Sequence, residues 1–221
     1  MTGLAPLFAP LGDSAITVRL GDGVSDELSR TVFRSARRIA GARLDGVMDI
    51  VPAYAALTVF YSSSAVGYDE MRSRIAEVLE DASEMDAAID GPAPAVVRVP
   101  VRYDGEDLDE VGSLTGLTRD GVIELHSSRE YRVLVIGFVP GFAYLGTLDE
   151  RLAVPRRESP HKRVAPGSVA IAELQTGVYP AATPGGWRII GNTDLVMFDP
   201  HRAPPALLRV GDVVTFDPVD R

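Results

Sequence analysis

Glycine and proline are spread unevenly along the chain, and that asymmetry limits the fold more than any other feature. Of 21 glycines and 16 prolines, 10 fall in residues 1–90, 8 in 91–130 and 19 in 131–221. Both residues punctuate regular structure, so the last ninety residues can hold only short elements, whereas the first ninety have room for long ones. A single architecture does not satisfy both halves. The 221 residues accommodate two small domains, and the expected class is α+β, with one domain over residues 1–90 and a second over 91–221.

In the first part, Ala15 to Leu20 alternates as a strand does, and Gly21-Asp22-Gly23 ends it. Ser25 can cap a following helix, with Asp26 and Glu27 in its electropositive first turn. Leu28, Val32, Ala36, Ile39 and Ala40 recur at helical spacing, and Arg30, Arg34, Arg37 and Arg38 take the wet face. Short strands are expected around Val47–Val51 and over Ala56–Tyr61, then an amphipathic helix over Asp69–Ala82 that buries Met71, Ile75, Val78 and Leu79. This β-α-β-β-α order is most of a ferredoxin-like α/β sandwich. The proline-stiffened segment 87–95 has neither helical nor strand period, and the domain boundary is expected there.

Beyond the boundary, Val96–Val101 reads as a strand, followed by helical stretches near Leu108–Ser113 and Arg119–Ser127, the latter capped by Thr118. Short strands are then expected at Val133–Val139, Ser168–Ala172, Thr176–Tyr179, Trp187–Gly191, Leu195–Phe198 and Val213–Asp217, with a closing hairpin over Leu208–Val214. Many short strands with glycine and proline punctuation predict a closed barrel or a sandwich.

Charge and composition exclude whole classes of function. Lys plus Arg is 22 and Asp plus Glu is 31, a net charge of −9, and such a surface repels nucleic-acid phosphates. Without cysteine there is no disulfide framework, thiol nucleophile or thiolate metal site. No apolar run reaches the ~18 residues of a membrane span, and the N-terminus lacks the pattern of a signal peptide, so the expected address is the cytosol. His126, His161 and His201 are too far apart in sequence to read as a metal motif. There is no phosphate-binding loop and no Gly-x-Ser-x-Gly nucleophile elbow. Pro166-Gly167-Ser168 reads as a turn entering a strand, so a self-contained serine hydrolase is not expected.

Three stretches stand out. Arg151, Arg156, Arg157, His161, Lys162 and Arg163 form a basic run in an acidic protein. It could hold an anion or carboxylate, since guanidinium forks match paired oxygens, or it could be a solvated loop or a docking patch. Gly137-Phe138-Val139-Pro140-Gly141-Phe142-Ala143-Tyr144 combines a Pro-Gly turn with aromatics. Gln175-Thr176-Gly177-Val178-Tyr179-Pro180, followed by Thr183-Pro184-Gly185-Gly186-Trp187, sets paired glycines beside the only tryptophan. Both are consistent with hairpin geometry around core aromatics, or with an apolar pocket completed by a few polar groups.

At these residues a resemblance becomes specific. Gly137 to Leu145, Pro155-Arg156-Arg157, Pro166 to Ile171, Gln175 to Pro180 and Thr183 to Trp187 form, in order, a motif set similar to that of the KipI family, the B subunits of 5-oxoprolinases, also labelled allophanate hydrolase subunit 1 or carboxyltransferase domain, subdomains C and D. Glu173-Leu174 replaces a smaller glycine-containing pair of that pattern, and His161 stands where arginine is usual. The resemblance implies a ferredoxin-like N-terminal domain and a cyclophilin-like C-terminal β-barrel. It also implies two partners, the C and A subunits of a 5-oxoprolinase, the first of them KipA-like, which with this chain would convert 5-oxoproline to glutamate using ATP with magnesium at the level of the complex. Arg156, Arg157, His161, Gln175, Thr176, Tyr179, Gly185, Gly186 and Trp187 are then the expected contacts to a small carboxylate substrate, and Phe138, Pro140, Gly141, Phe142 and Tyr144 the expected pocket wall. No resident metal is expected in this chain. Other functions within the resemblance are a regulator that inhibits a sensor histidine kinase and one half of a carboxyltransferase or allophanate hydrolase-type complex.

Overall fold

The computed structural model describes residues 5–80 and 95–220. The chain divides into two compact units, Met1–Ala93 and Pro94–Arg221. Apart from Ala95, the proline-rich segment expected to carry the boundary lies outside the described residues.

The first unit contains β1 (Leu7–Pro10), β2 (Ala15–Arg19), α1 (Asp26–Ala42), β3 (Val47–Pro52), β4 (Ala56–Tyr61) and α2 (Tyr68–Glu80). Ser25 caps α1 from an extended backbone, accepting the Leu28 N–H at 3.2 Å, as its position predicts. The sheet order is β1-β2-β4-β3 and every pairing is antiparallel. Strands β2 and β3 therefore run the same way with β4 between them, a split β-α-β arrangement. Ile16, Val18, Leu57 and Val59 pack against Val32, Ala36 and Ile39 of α1 and Met71 and Ile75 of α2. Strand β1 was not expected: its short run ends in Pro10, a residue that sheets tolerate at an edge.

The second unit runs β5 (Val96–Val101), α3 (Leu108–Thr115), α4 (Arg119–Ser127), β6 (Tyr131–Ile136), β7 (Ala143–Gly146), a 3-10 turn (Glu150–Leu152), β8 (His161–Val164), β9 (Ser168–Ala172), β10 (Gln175–Val178), β11 (Thr183–Gly185), β12 (Arg188–Asn192) and β13 (Val213–Pro218). Seven strands form one sheet in the order β12-β9-β10-β7-β6-β13-β5. Its two ends meet where Arg102, just past β5, exchanges backbone hydrogen bonds of 2.9 and 2.8 Å with Asn192. The sheet is thus nearly closed into a barrel, filled by Val99, Tyr131, Leu145, Ile171, Val214 and Phe216 among others, with Leu108, Val111 and Val122 of α3 and α4 packed onto the same core.

Every residue of β9 is buried, because β9 is covered on both faces. Val169 and Ile171 enter the barrel core, while Ala170 and Ala172 join a separate cluster with Phe142, Val164, Tyr179, Trp187 and Ile189. A two-stranded ribbon, β8 with β11, carries Val164 into this outer layer.

Two expectations fail here. Leu195–Phe198 forms no strand, only an isolated bridge between Phe198 and Ala206. Leu208–Val214 is not a hairpin. Asp212 accepts the Arg209 N–H at 2.8 Å, making a turn that delivers β13 to β5 and β6. Alternation marks a strand without naming its partners, and here one of them, β5, is more than a hundred residues away.

Candidate functional site

The outer layer of the barrel collects most of the residues that the sequence singles out. Its centre is Phe142, whose ring centroid lies 4.8 Å from Tyr144, 5.2 Å from Tyr179, 5.5 Å from Trp187 and 5.7 Å from Phe138, with interplanar angles of 69–84° throughout. Edge-to-face pairs of this kind each add about 0.5–1.5 kcal/mol to simple burial. The Pro140-Gly141 turn that brings Phe142 inward is closed by its N–H to the Val139 carbonyl at 3.0 Å, with Gly141 at φ +82°. A Cβ at Gly141 would come within 2.6 Å of Phe198, so the position demands glycine for both reasons. Phe138 is held at φ +68° and is 59% exposed, an uncommon backbone for an aromatic residue.

Strand β10 divides its residues between two faces. Gln175 and Gly177, with Tyr179 just past the strand's end, take the outer one, and Gly177 lies so close beneath the rings that a Cβ would stand 2.8 Å from the Ala143 carbonyl and 3.1 Å from Phe142. Thr176 takes the inner face, fully buried, where its hydroxyl lies 2.8 Å from His126 Nε2. Thr176 therefore does not belong with the expected substrate contacts. Trp187 is buried, with its backbone beside the Tyr179 hydroxyl. Gly185 packs directly on that hydroxyl. Burial pushes the Tyr144 and Tyr179 phenols up, and the Arg156 charge opposes this at both. Arg156 itself is exposed, and among the described residues it has no carboxylate partner.

The neighbouring cations are engaged elsewhere. Asp107 occupies the N-cap position of α3 without capping it. Its side chain, 4% exposed, accepts from the Arg157 guanidinium, from His161 Nε2 at 2.8 Å and from the Ile189 N–H at 2.7 Å. Glu110 pairs with Arg157 at 2.8 Å and Arg188 at 3.2 Å, and Arg188 also donates to the Pro155 carbonyl. A carboxylate as deeply buried as Asp107 is tolerable only when so fully bonded. Arg157 also fixes the ribbon directly, its N–H bonding the Gly186 carbonyl at 2.8 Å. Arg151 is paired with Asp149 at 2.9 Å. Of the basic run, Arg156, Lys162 and Arg163 remain without an ion pair among the described residues.

A family model described as "Carboxyltransferase domain, subdomain C and D" matches residues 6–208. The chain belongs to that family. It is similar, at 41% identity over 93% of this chain and 90% of the relative, to a Bacillus subtilis protein named as the B subunit of 5-oxoprolinase. The crystal structure of TTHA0988 superposes with a TM-score of 0.81 at 38% identity; the match covers 94% of this chain and 40% of the larger one. The Kluyveromyces lactis urea amidolyase shares the fold, with a TM-score of 0.78 at 16% identity over 99% of this chain and 15% of that one.

Within this carboxyltransferase subdomain the structure unites Phe142, Tyr144, Gly177, Tyr179, Gly185 and Trp187, places Gln175 on the same face of β10, and leaves Arg156 near enough for its charge to act on the two phenols. Asp107, Glu110 and Arg188 were missed. The available signal was the acidic run Asp104, Glu106, Asp107, Asp109 and Glu110, opposite in charge to the basic run fifty residues later. A shallow cleft of about 290 Å³, bordered by Val96, Arg98, Arg129, Thr215 and Asp217, shares no residue with this site. There Arg98 is paired with Asp217 at 2.8 Å.

Proposed function

We propose that this chain is the B subunit of a cytosolic, ATP-dependent 5-oxoprolinase, acting with the C and A subunits of that enzyme to open the lactam of 5-oxoproline and give glutamate. In finer terms, its N-terminal unit reads as a ferredoxin-like sandwich whose edge place is taken by an N-terminal strand, and its C-terminal unit as a cyclophilin-like barrel. The observation that carries the functional reading is Arg156, a cation without a carboxylate partner among the described residues, adjoining an aromatic face. A small flat ring bearing one carboxylate matches that pairing. The charge goes to the guanidinium and the ring lies along Tyr144 and Trp187.

In this reading Gln175 and the Gly185-Gly186 segment orient the lactam amide, while Phe138, Pro140 and Gly141 form the rim. Arg157 and His161, already bonded to Asp107, position the segment that carries Arg156. A lactam amide is resonance-stabilised, and coupling to ATP supplies the activation of its carbonyl. Positive charge beside the developing oxyanion lowers the barrier further. The chain carries no recognisable phosphate loop, and in this reading ATP with magnesium acts at the level of the assembled complex. Among the described residues no helix is long and apolar enough to cross a membrane. The test is reconstitution. Co-purified subunits should release glutamate from 5-oxoproline only with ATP, and leaving out this chain should abolish release. Undiminished release without it would overturn the proposal.

A further inference from the structure

Behind β10 lies a polar chain that the site does not use. The Thr176 hydroxyl oxygen is 3.2 Å from the Ala170 carbonyl on β9 and 2.8 Å from Nε2 of His126 on α4. On the other side of the ring, Nδ1 is 2.7 Å from the Tyr103 hydroxyl. A hydroxyl has one proton to give. If Thr176 gives its proton to Ala170, its oxygen must accept from Nε2–H, which leaves Nδ1 bare to accept the Tyr103 proton. This arrangement satisfies every member of the chain. The ring is held in place for these bonds: the His126 carbonyl accepts the Tyr131 hydroxyl at 2.8 Å, and the ring packs 4.5 Å from Phe216.

A buried imidazole bonded at both nitrogens is more than filler, because a same-sized apolar side chain would occupy the space without polar atoms to satisfy. What the polar chain adds is direction. It ties α4, β9 and β10 together at the residue between Gln175 and Gly177, and Gly177 has no slack beneath Phe142 and Trp187. We propose that His126 and Thr176 are positioning residues for the aromatic face: their hydrogen bond sets β10 so that Gly177 and Tyr179 meet Phe142 and Trp187 in working geometry. Only the kinetic part of the test rests on the 5-oxoprolinase reading.

The test compares Thr176→Val, which keeps the shape and loses the hydroxyl, with Thr176→Ser, which keeps the hydroxyl. Trp187 is the only tryptophan, so its emission in the isolated chain reports this site alone. Thr176→Ser should match the unaltered protein. Thr176→Val should raise acrylamide quenching of Trp187 at least 2-fold at a temperature where it is fully folded, and in the assembled complex it should lower kcat about 10-fold with KM changed less than 3-fold. A merely structural role would lower Tm and leave quenching and kcat unchanged, and that result overturns the proposal. Long-range proton–nitrogen correlation on the unaltered chain should place the His126 proton on Nε2. A proton on Nδ1 overturns it too, even if Thr176→Val does not fold. A complex that turns over no 5-oxoproline refutes the functional reading alone, and the quenching and tautomer results still decide this one.

Discussion

Replacing Asp107 with Asn removes one charge and almost no volume from the most heavily bonded carboxylate of the C-terminal unit. Three interactions change unequally. The Ile189 N–H, now 2.7 Å from Oδ2, can still find an amide oxygen. Arg157 loses its buried partner but keeps Glu110 at 2.8 Å, and with 27% of its side chain exposed it retains some access to water. His161, 14% exposed, bonds the same Oδ2 as Ile189, so it keeps an amide oxygen but loses the carboxylate charge, while the new NH2 group faces Arg157. Hydrogen bonds to charged groups contribute about 1.5–3 kcal/mol each, and the Arg157 bond to this side chain is fully lost while the His161 bond is weakened. The expected destabilisation is therefore about 2–4 kcal/mol, below the ~3–5 kcal/mol of breaking a buried pair outright. Urea unfolding followed through Trp187 isolates the C-terminal unit, and the midpoint should fall with the m-value unchanged. Asp107→Asn combined with Arg157→Gln should cost less than the two single changes together, because both dismantle the same pair. A loss under about 0.5 kcal/mol, the range of an ordinary surface substitution, would refute the assignment of Asp107 as the hub.

Arg156→Ala should raise KM for 5-oxoproline in the complex at least 10-fold while leaving Tm unchanged, because Arg156 has no ion pair to lose among the described residues; an unchanged KM removes it from the site. Gly177→Ala places a methyl group 2.8 Å from the Ala143 carbonyl and should cost about 1–3 kcal/mol through overpacking, with a shift in Trp187 emission; wild-type stability would show that β10 has room to move. Burial holds the His126 imidazole at about 3, below its ordinary 6.5. The unfolded chain thus takes up a proton that the folded unit refuses, and stability present above pH 6.5 is lost as pH falls toward 3, by up to about 1.4 kcal/mol per pH unit. Urea midpoints between pH 7 and pH 4 should show that loss, and His126→Gln should flatten it.

Much of the architecture was legible because it depends on local chemistry. Ser25 and Thr118 cap the helices they precede, each accepting a backbone N–H three residues on. The β-branched alternation over Val96–Val101 and Ser168–Ala172 marks β5 and β9. Strands β1, β8 and β11 were not legible, being three or four residues long and carrying proline, charge or glycine. They exist because neighbours lend them hydrogen bonds, not because their own residues favour extension. The site divides along the same line. Its aromatic and glycine content shows in the motifs, and Gly177 and Gly185 are needed where rings leave no room for Cβ. Which cations stay available is a tertiary fact. Arg156 and Arg157 are adjacent and chemically alike, yet Asp107, fifty residues earlier, engages only Arg157. Thr176 shows a further limit: in a barrel covered on its outer side, both faces of β10 are buried, so polarity cannot tell which one looks toward a ligand.

The most direct test is the structure of the assembled complex with 5-oxoproline bound. The account predicts the lactam against Tyr144 and Trp187, its carboxylate within about 2.7–2.9 Å of the Arg156 guanidinium, and Thr176 still turned inward to His126. A lactam bound away from the outer face of β10, with Arg156 in solvent, would contradict it.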